Sequence, residues 1–126
     1  MSPAELPEQV RRLIIEAIDT VTELEALLLL RGTPGRFWTS DAVSTRLYVR
    51  PAVAAQALGA LTRRGFLGEG DEGFTYQPSS TDLANDVTAL AKAYSTNLIA
   101  VTQLIHAKPS SSLQDFARAF RIRRDS

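Results

Sequence analysis

Residues 38–67, which read WTSDAVSTRLYVRPAVAAQALGALTRRGFL, carry the strongest indication of the fold. Proline is best tolerated at the first position of a helix, because the N–H that it lacks has no intrahelical partner there, so Pro51 marks a helix start. Gly65 marks the end of the same helix, since glycine commonly follows a last helical turn. The stretch therefore predicts a short helix at about 41–47, a tight turn, and a second helix at 51–64.

A β-hairpin is predicted directly after the second helix. Two short apolar runs, 66–67 and 74–76, flank a glycine-rich stretch at 68–73, and this pattern is typical of two strands joined by a turn. Before the two helices, Phe37 and Trp38 can form a very short additional strand. The predicted order is therefore strand, helix, tight turn, helix and hairpin.

Two amphipathic helices are predicted on the N-terminal side. The first covers about 5–18, where apolar residues recur with helical spacing. The second covers about 20–31, and Thr20 with Glu23 has the spacing of a capping box at its start. Its leucine-rich composition places it at the centre of the core. Gly32 is expected to end it in the left-handed conformation.

On the C-terminal side, a single long helix is predicted over 81–107, and Pro109 ends it. Apolar residues recur along it every three or four positions, close to the heptad spacing of a helix-pairing seam. The seam comprises Leu83, Val87, Leu90, Tyr94, Leu98, Val101 and Ile105. We expect it to pair two subunits in a homodimer, and the alternative is packing against the first helix within one chain. A short amphipathic, basic helix is predicted within 111–124, either docked on the core or free to meet an acidic partner or nucleic acid.

The segments 38–47 and 49–67 together resemble the winged helix-turn-helix regulators of bacteria, broadly the MarR-like and PadR-like families. The fold class expected is mainly α with a small β-hairpin, a winged helix-turn-helix with an N-terminal helix and a long C-terminal helical extension. The corresponding division of the chain is an N-terminal helix at 1–19, the winged domain at 20–78 and the extension at 79–126.

The resemblance implies that helix 51–64 lies in the major groove of double-stranded DNA. The candidate DNA-contacting residues are Ser44, Thr45, Arg46, Arg50, Gln56 and Arg63. Arg50 and Arg63 would hold phosphates, and Gln56 would hydrogen-bond a base edge. Arg64 is a further candidate for phosphate contact, and the alternative for all three arginines is a solvated surface charge.

Three features favour a different interpretation, in which the winged helix binds a protein instead of DNA. The formal net charge is zero, the hairpin tip carries Glu69, Asp71 and Glu72, and the outer side of helix 51–64 is rich in alanine. Phosphates repel an acidic hairpin, and a flat apolar face suits protein contact. A protein-interaction module is therefore kept as the alternative to a DNA-binding transcriptional regulator.

Enzymatic, metal and cofactor chemistry is not expected. The chain has no cysteine, and His106, its only histidine, lacks carboxylate or thiolate neighbours at ligand spacing. The serine runs are expected to be helix caps and linkers. The N-terminus lacks a signal-peptide pattern, and no apolar run approaches the length of a membrane span. We therefore expect a cytoplasmic protein without membrane contact.

Overall fold

The computed structural model describes residues 6–108, and this part of the chain is mainly helical with a small two-stranded antiparallel sheet. The helices are α1 (Glu8–Ala17), α2 (Val21–Arg31), α3 (Ser40–Leu47), α4 (Pro51–Arg63), α5 (Thr81–Thr96) and α6 (Leu98–Ala107), and the strands are β1 (Leu67–Gly70) and β2 (Gly73–Tyr76). The helix predicted within 111–124 lies outside the described residues.

Side-chain caps fix the starts of three helices. Hydroxyl oxygens of Thr20, Thr39 and Ser80 accept hydrogen bonds from backbone N–H groups three residues later, at 3.0, 3.1 and 3.1 Å. In the capping box of α2, the Glu23 carboxylate accepts from the backbone N–H of Asp19 at 2.9 Å instead of from that of Thr20. These local signals therefore place the helix starts where the sequence predicts them.

The prediction that Gly32 ends α2 in the left-handed conformation is wrong. Gly32 has φ −73° and ψ −10°, a right-handed conformation, and its N–H donates to the carbonyl oxygen of Leu28 at 3.0 Å. The last turn of α2 thus closes without a left-handed residue. Glycine adopts the left-handed conformation where α4 ends instead, at Gly65, with φ 90°.

The prediction of one helix over 81–107 is also wrong, because the chain leaves helical geometry at Asn97, with φ −148° and ψ 56°. The hydroxyls of Ser95 and Thr96 donate to the carbonyl oxygen of Lys92 at 2.8 and 3.0 Å. Such side-chain bonds compete with the helical ladder. After the break, α6 packs against both α1 and α5.

The core is built around α2. Leu24, Leu27 and Leu30 of this helix are fully buried, as are Leu58 and Leu61 of α4. One cluster of buried side chains includes residues from every helix and from β1. The N-terminal helix and the C-terminal helices are therefore packed into the same core as the α2–β2 region.

The hairpin is held to the start of α3 by a single bridge. β1 and β2 are antiparallel, with Leu67 opposite Tyr76 and Gly70 opposite Gly73. Trp38 and Phe74 exchange backbone hydrogen bonds of 2.7 and 2.8 Å, so the short strand predicted at Phe37 and Trp38 is reduced to one bridged residue. Gly73 has φ 124°, and a Cβ there would lie 2.3 Å from the carbonyl oxygen of Trp38. Only glycine permits this close approach.

A cluster of four charged side chains ties the end of α4 to the helices around it. The Arg64 guanidinium donates to the Asp19 carboxylate at 2.9 Å, to the Glu23 carboxylate at 2.7 Å and to the carbonyl oxygen of Ala17 at 2.9 Å. Lys108, at the end of α6, contributes the fourth charge through a 3.0 Å ion pair with Asp19. The cluster fixes where α4 ends relative to α1, α2 and α6.

The Lys108 ammonium also caps the C-terminus of α1. Its Nζ donates to the carbonyl oxygens of Ile14 and Ile18 at 2.6 and 2.7 Å, and its side chain is only 8% exposed. Carbonyls at a helix C-terminus carry partial negative charge, so a cation is stabilising there.

Candidate nucleic-acid interface

The structure brings α3 and α4 together as two packed helices joined by a very short turn. Tyr48 follows α3 in the left-handed conformation, with φ 59° and ψ 42°, and its N–H donates to the carbonyl oxygen of Ser44. The N–H of Val49 donates to the same oxygen at 3.1 Å. This reversal lets Pro51 open α4 only four residues after Leu47.

The outer side of α4 is exposed over its first half and again at its last residue. It presents Ala52, Ala55, Gln56 and Arg63, with Arg50 at the N-cap. Small side chains therefore occupy the middle of this face, with one amide among them and a guanidinium at each end. The name "α3–α4 face" is used below for this surface together with the exposed side chains of Thr45, Arg46 and Tyr48.

Five of the six predicted DNA-contacting residues lie on the α3–α4 face. They are Thr45, Arg46, Arg50, Gln56 and Arg63. Ser44 is not part of it, because this side chain is 6% exposed and its Oγ donates to the carbonyl oxygen of Asp41 at 2.8 Å. Ser44 points into the packing between helices and cannot reach a groove of DNA in this conformation.

The three arginines of the α3–α4 face are free to meet an anion. Within residues 6–108, Arg46, Arg50 and Arg63 form no ion pair. The Arg63 side chain lies back along α4, with its Nη1 3.3 Å from the position a Cβ would take on Gly59. Arg64 is the exception among the arginines proposed to contact phosphate, because its guanidinium is engaged in the internal charge cluster.

The hairpin tip carries the opposite charge. Glu69, Asp71 and Glu72 are all exposed. Phe37 packs beside Gly70, where an added Cβ would lie 3.6 Å from its ring. Arg36 stacks on the Trp38 ring at 3.8 Å from the centroid. The surface around the α3–α4 face is therefore divided into a positive helical part and a negative hairpin tip.

The predicted dimer seam is largely used inside the chain. Val87, Leu90, Val101 and Ile105 are buried within the single subunit, and Leu83 and Tyr94 are partly buried. Leu98 is the exception, at 51% exposed. Both α5 and α6 pack against α1, which is the alternative of packing against the first helix within one chain. Most of the seam is therefore not available to a second subunit.

Other kinds of site find little support in residues 6–108. No group of three or more histidine, cysteine, aspartate or glutamate side chains there could hold a metal ion, and His106 is exposed on α6. An open groove of about 440 Å³ lies between the start of α1 and the end of α5, lined by Leu6, Gln9, Ala89, Lys92, Thr96 and neighbouring residues. In the same part of the chain, no helix is long and apolar enough to cross a membrane.

Two features of this region escape sequence reasoning. Tyr48 is almost completely exposed, although its position in the sequence indicates only the tight turn between the two helices. Arg64 and Lys108 turn inward to Asp19, although the residues lie far apart in the chain. For the exposure of Tyr48, the one signal in the sequence is a bulky residue within a very short turn between two helices. The charge cluster has no signal among neighbouring residues.

Comparison of the chain with protein-family models, with curated proteins and with solved structures found no match.

Proposed function

We propose that this chain is a winged helix-turn-helix protein that binds double-stranded DNA through the α3–α4 face and acts as a transcriptional regulator. The observation that carries the proposal is a set of three exposed arginines, Arg46, Arg50 and Arg63, which form no ion pair within residues 6–108 and lie on two helices joined by a tight turn. α4 is the recognition helix of this proposal, and α3 supports it.

The shape of α4 supports insertion into a major groove. Its 13 residues correspond to a length of about 20 Å, and a major groove is wide enough to admit a helix. Ala52, Ala55 and Gly59 are small, so the α4 backbone can approach the base edges closely. Gln56 lies between them and is the side chain we assign to base contact, since an amide can hydrogen-bond an adenine edge in two places.

The positive charge at both ends of α4 supports contact with the backbones that border the groove. Arg50 stands at the N-cap and Arg63 in the last turn, and Arg46 lies on α3 before the turn. Contacts to phosphates position a protein on DNA without reading sequence. We assign these three arginines to phosphates.

The rigidity of α4 supports the same proposal. Pro51 sets the backbone at its start, and Arg64 locks its end to Asp19 and Glu23. A recognition surface held at both ends loses little conformational freedom when it binds.

The hairpin has a supporting part in this proposal. Its acidic tip, with Glu69, Asp71 and Glu72 exposed, would be repelled by phosphates. We assign it to bracing the start of α3 through the Trp38–Phe74 bridge and not to DNA contact. The homodimer and the cytoplasmic location stay predictions.

Fluorescence anisotropy with a pool of genomic DNA fragments, followed across a series of salt concentrations, tests the proposal. We expect Arg50→Gln to weaken binding to all fragments alike and to reduce the slope of log K against log salt by about one per subunit. Arg12→Gln is the matched control, because Arg12 is an exposed arginine on α1 outside the α3–α4 face, and it should leave both quantities unchanged.

Either of two results contradicts the proposal. One is the absence of binding by the wild-type chain even at low salt. The other is an equal effect of Arg50→Gln and Arg12→Gln, which would mean that DNA is held by charge at large and not by the α3–α4 face.

The acidic hairpin tip beside an alanine-rich helix favours a second candidate, a module that binds a protein through the same face. The uncharged middle of this face, at Ala52, Ala55 and Gln56, suits a protein partner, because interface centres are depleted in charge. In the anisotropy experiment this candidate predicts no DNA binding by the wild-type chain.

A further inference from the structure

Tyr48 is the most exposed of the large hydrophobic residues in residues 6–108, at 94% of its full accessible surface. It is also the only non-glycine residue there with a positive φ. A bulky residue in the left-handed conformation is unfavourable, because its Cβ approaches the following carbonyl oxygen. Glycine or asparagine adopts this conformation more readily.

The fold uses the backbone of Tyr48 and not its side chain. The turn requires a left-handed residue whose N–H reaches the carbonyl oxygen of Ser44, and a residue of any type provides that N–H except proline. The ring and hydroxyl are surrounded by solvent. A smaller residue would therefore satisfy the turn with less strain, and nothing within residues 6–108 accounts for a tyrosine at this position.

The surroundings of Tyr48 indicate the chemistry of what it contacts. Arg46 precedes it by two residues and Arg50 follows it by two, and both are exposed and without ion pairs in the part of the chain that the structure describes. The arginines supply positive charge, while the tyrosine supplies a flat apolar ring ending in a hydroxyl. This combination is complementary to a sugar–phosphate backbone, which alternates anionic groups with the carbon faces of the sugars.

We propose that Tyr48 contacts one strand of duplex DNA at its backbone, with the ring against a deoxyribose and the hydroxyl donating to a phosphate oxygen, between phosphates held by Arg46 and Arg50. The inference rests on the proposed function and adds a residue to it. Hydroxyl groups of tyrosine are among the donors that position proteins on DNA phosphates.

The contact has a signature that separates it from the arginine contacts. A neutral side chain releases no counterion when it binds, so its loss lowers affinity equally at all salt concentrations. Loss of an arginine lowers the salt slope as well. Affinity and slope measured together thus distinguish a contact by Tyr48 from an indirect effect on its charged neighbours.

The test compares Tyr48→Asn and Tyr48→Phe with the wild-type chain, using thermal unfolding and DNA anisotropy across the same salt series. Asparagine keeps a residue that tolerates the left-handed conformation, and phenylalanine removes only the hydroxyl. We expect Tyr48→Asn to leave the melting temperature equal or higher, to weaken DNA binding by about tenfold, and to leave the salt slope unchanged. Tyr48→Phe should give a smaller loss of affinity.

Three results would overturn the inference: wild-type DNA affinity in Tyr48→Asn, a lowered melting temperature in Tyr48→Asn, and no binding of duplex DNA by the wild-type chain. The first would show that the side chain makes no contact with DNA, and the second would show that it stabilises the fold. If Arg50→Gln lowers the salt slope while Tyr48→Asn has no effect on affinity, only this inference fails and the proposed function stands. If the wild-type chain binds no duplex DNA, both fail together.

Discussion

The charge cluster at the end of α4 permits a quantitative prediction, in which Lys108→Met removes the ammonium while keeping a side chain of similar length and volume. The Lys108 side chain is 8% exposed, and its Nζ has three acceptors, at 2.6, 2.7 and 3.0 Å. A methionine fills the same space, so the cost of a cavity is small. The variant therefore measures the loss of the charge and of its hydrogen bonds.

The structure allows the magnitude of the effect to be bounded. Removal of one partner from a buried ion pair typically costs about 3–5 kcal/mol of the free energy of unfolding. The lower end applies here, because Asp19 keeps its 2.9 Å contact with Arg64, and the carbonyl oxygen of Ile14 keeps its 3.1 Å bond from the N–H of Ile18. We expect a loss of about 3 kcal/mol, equivalent to a fall of about 12 °C in melting temperature for a chain of this size.

Urea unfolding followed by circular dichroism checks this value, with Lys92→Met as the matched control. Lys92 is the only other lysine in the sequence and is exposed on α5, so its replacement should change the free energy of unfolding by less than about 0.5 kcal/mol. Equal stability of Lys108→Met and Lys92→Met would show that the Lys108 charge does not stabilise the fold. Loss of the difference in free energy of unfolding between the two variants at 0.5 M salt would also contradict the prediction, since an ion pair largely removed from solvent is only weakly screened.

Two further predictions concern the hairpin and two partly buried tyrosines. Gly73→Ala should destabilise the fold by about 2 kcal/mol or more, because its Cβ would overlap the carbonyl of Trp38. The same variant should shift the fluorescence of Trp38, the only tryptophan. Gly70→Ala is the control, since its Cβ makes only an ordinary contact, and equal stability of the two variants would contradict the prediction. Burial raises the pKa of Tyr76 and Tyr94 above the ordinary value of 10.0, and for Tyr94 the nearby Glu25 carboxylate raises it further. The folded chain thus holds these protons more tightly than the unfolded chain, so this contribution to stability is complete below pH 10 and is lost as the pH rises through the raised pKa values. The double variant Tyr76→Phe/Tyr94→Phe should therefore show a smaller fall in melting temperature than the wild type between pH 9 and 11. An identical pH dependence of the two melting temperatures would show that these tyrosines do not cause the loss of stability.

Features that depend only on neighbouring residues could be predicted from the sequence alone. The caps at Thr20, Thr39 and Ser80, the start of α4 at Pro51 and the hairpin around its glycine-rich turn all follow from interactions within a few positions. A hydroxyl that caps a helix, or a proline at a first turn, acts through local backbone geometry, and the rest of the protein need not be known.

The candidate interface was only partly within reach of the sequence. The resemblance to winged helix-turn-helix regulators implied that Arg46, Arg50, Gln56 and Arg63 face outward, and all four are exposed in the structure. It failed for Ser44, whose hydroxyl bonds back to the carbonyl of Asp41. A short polar side chain at the edge of a buried face can turn either way, and only packing decides which.

The packing of the C-terminal helices and the pairing of the distant charges could not be predicted in this way. Heptad-like spacing marks an apolar stripe but does not say what covers it, and here the chain breaks at Asn97 so that α6 returns to α1 and buries Val101 and Ile105 within one subunit. In the same way, nothing near Lys108 in the sequence indicates that it caps α1 beside Asp19 and Arg64. These contacts join residues far apart in the chain, and they are chosen by the burial of apolar surface and the pairing of charges across the whole fold.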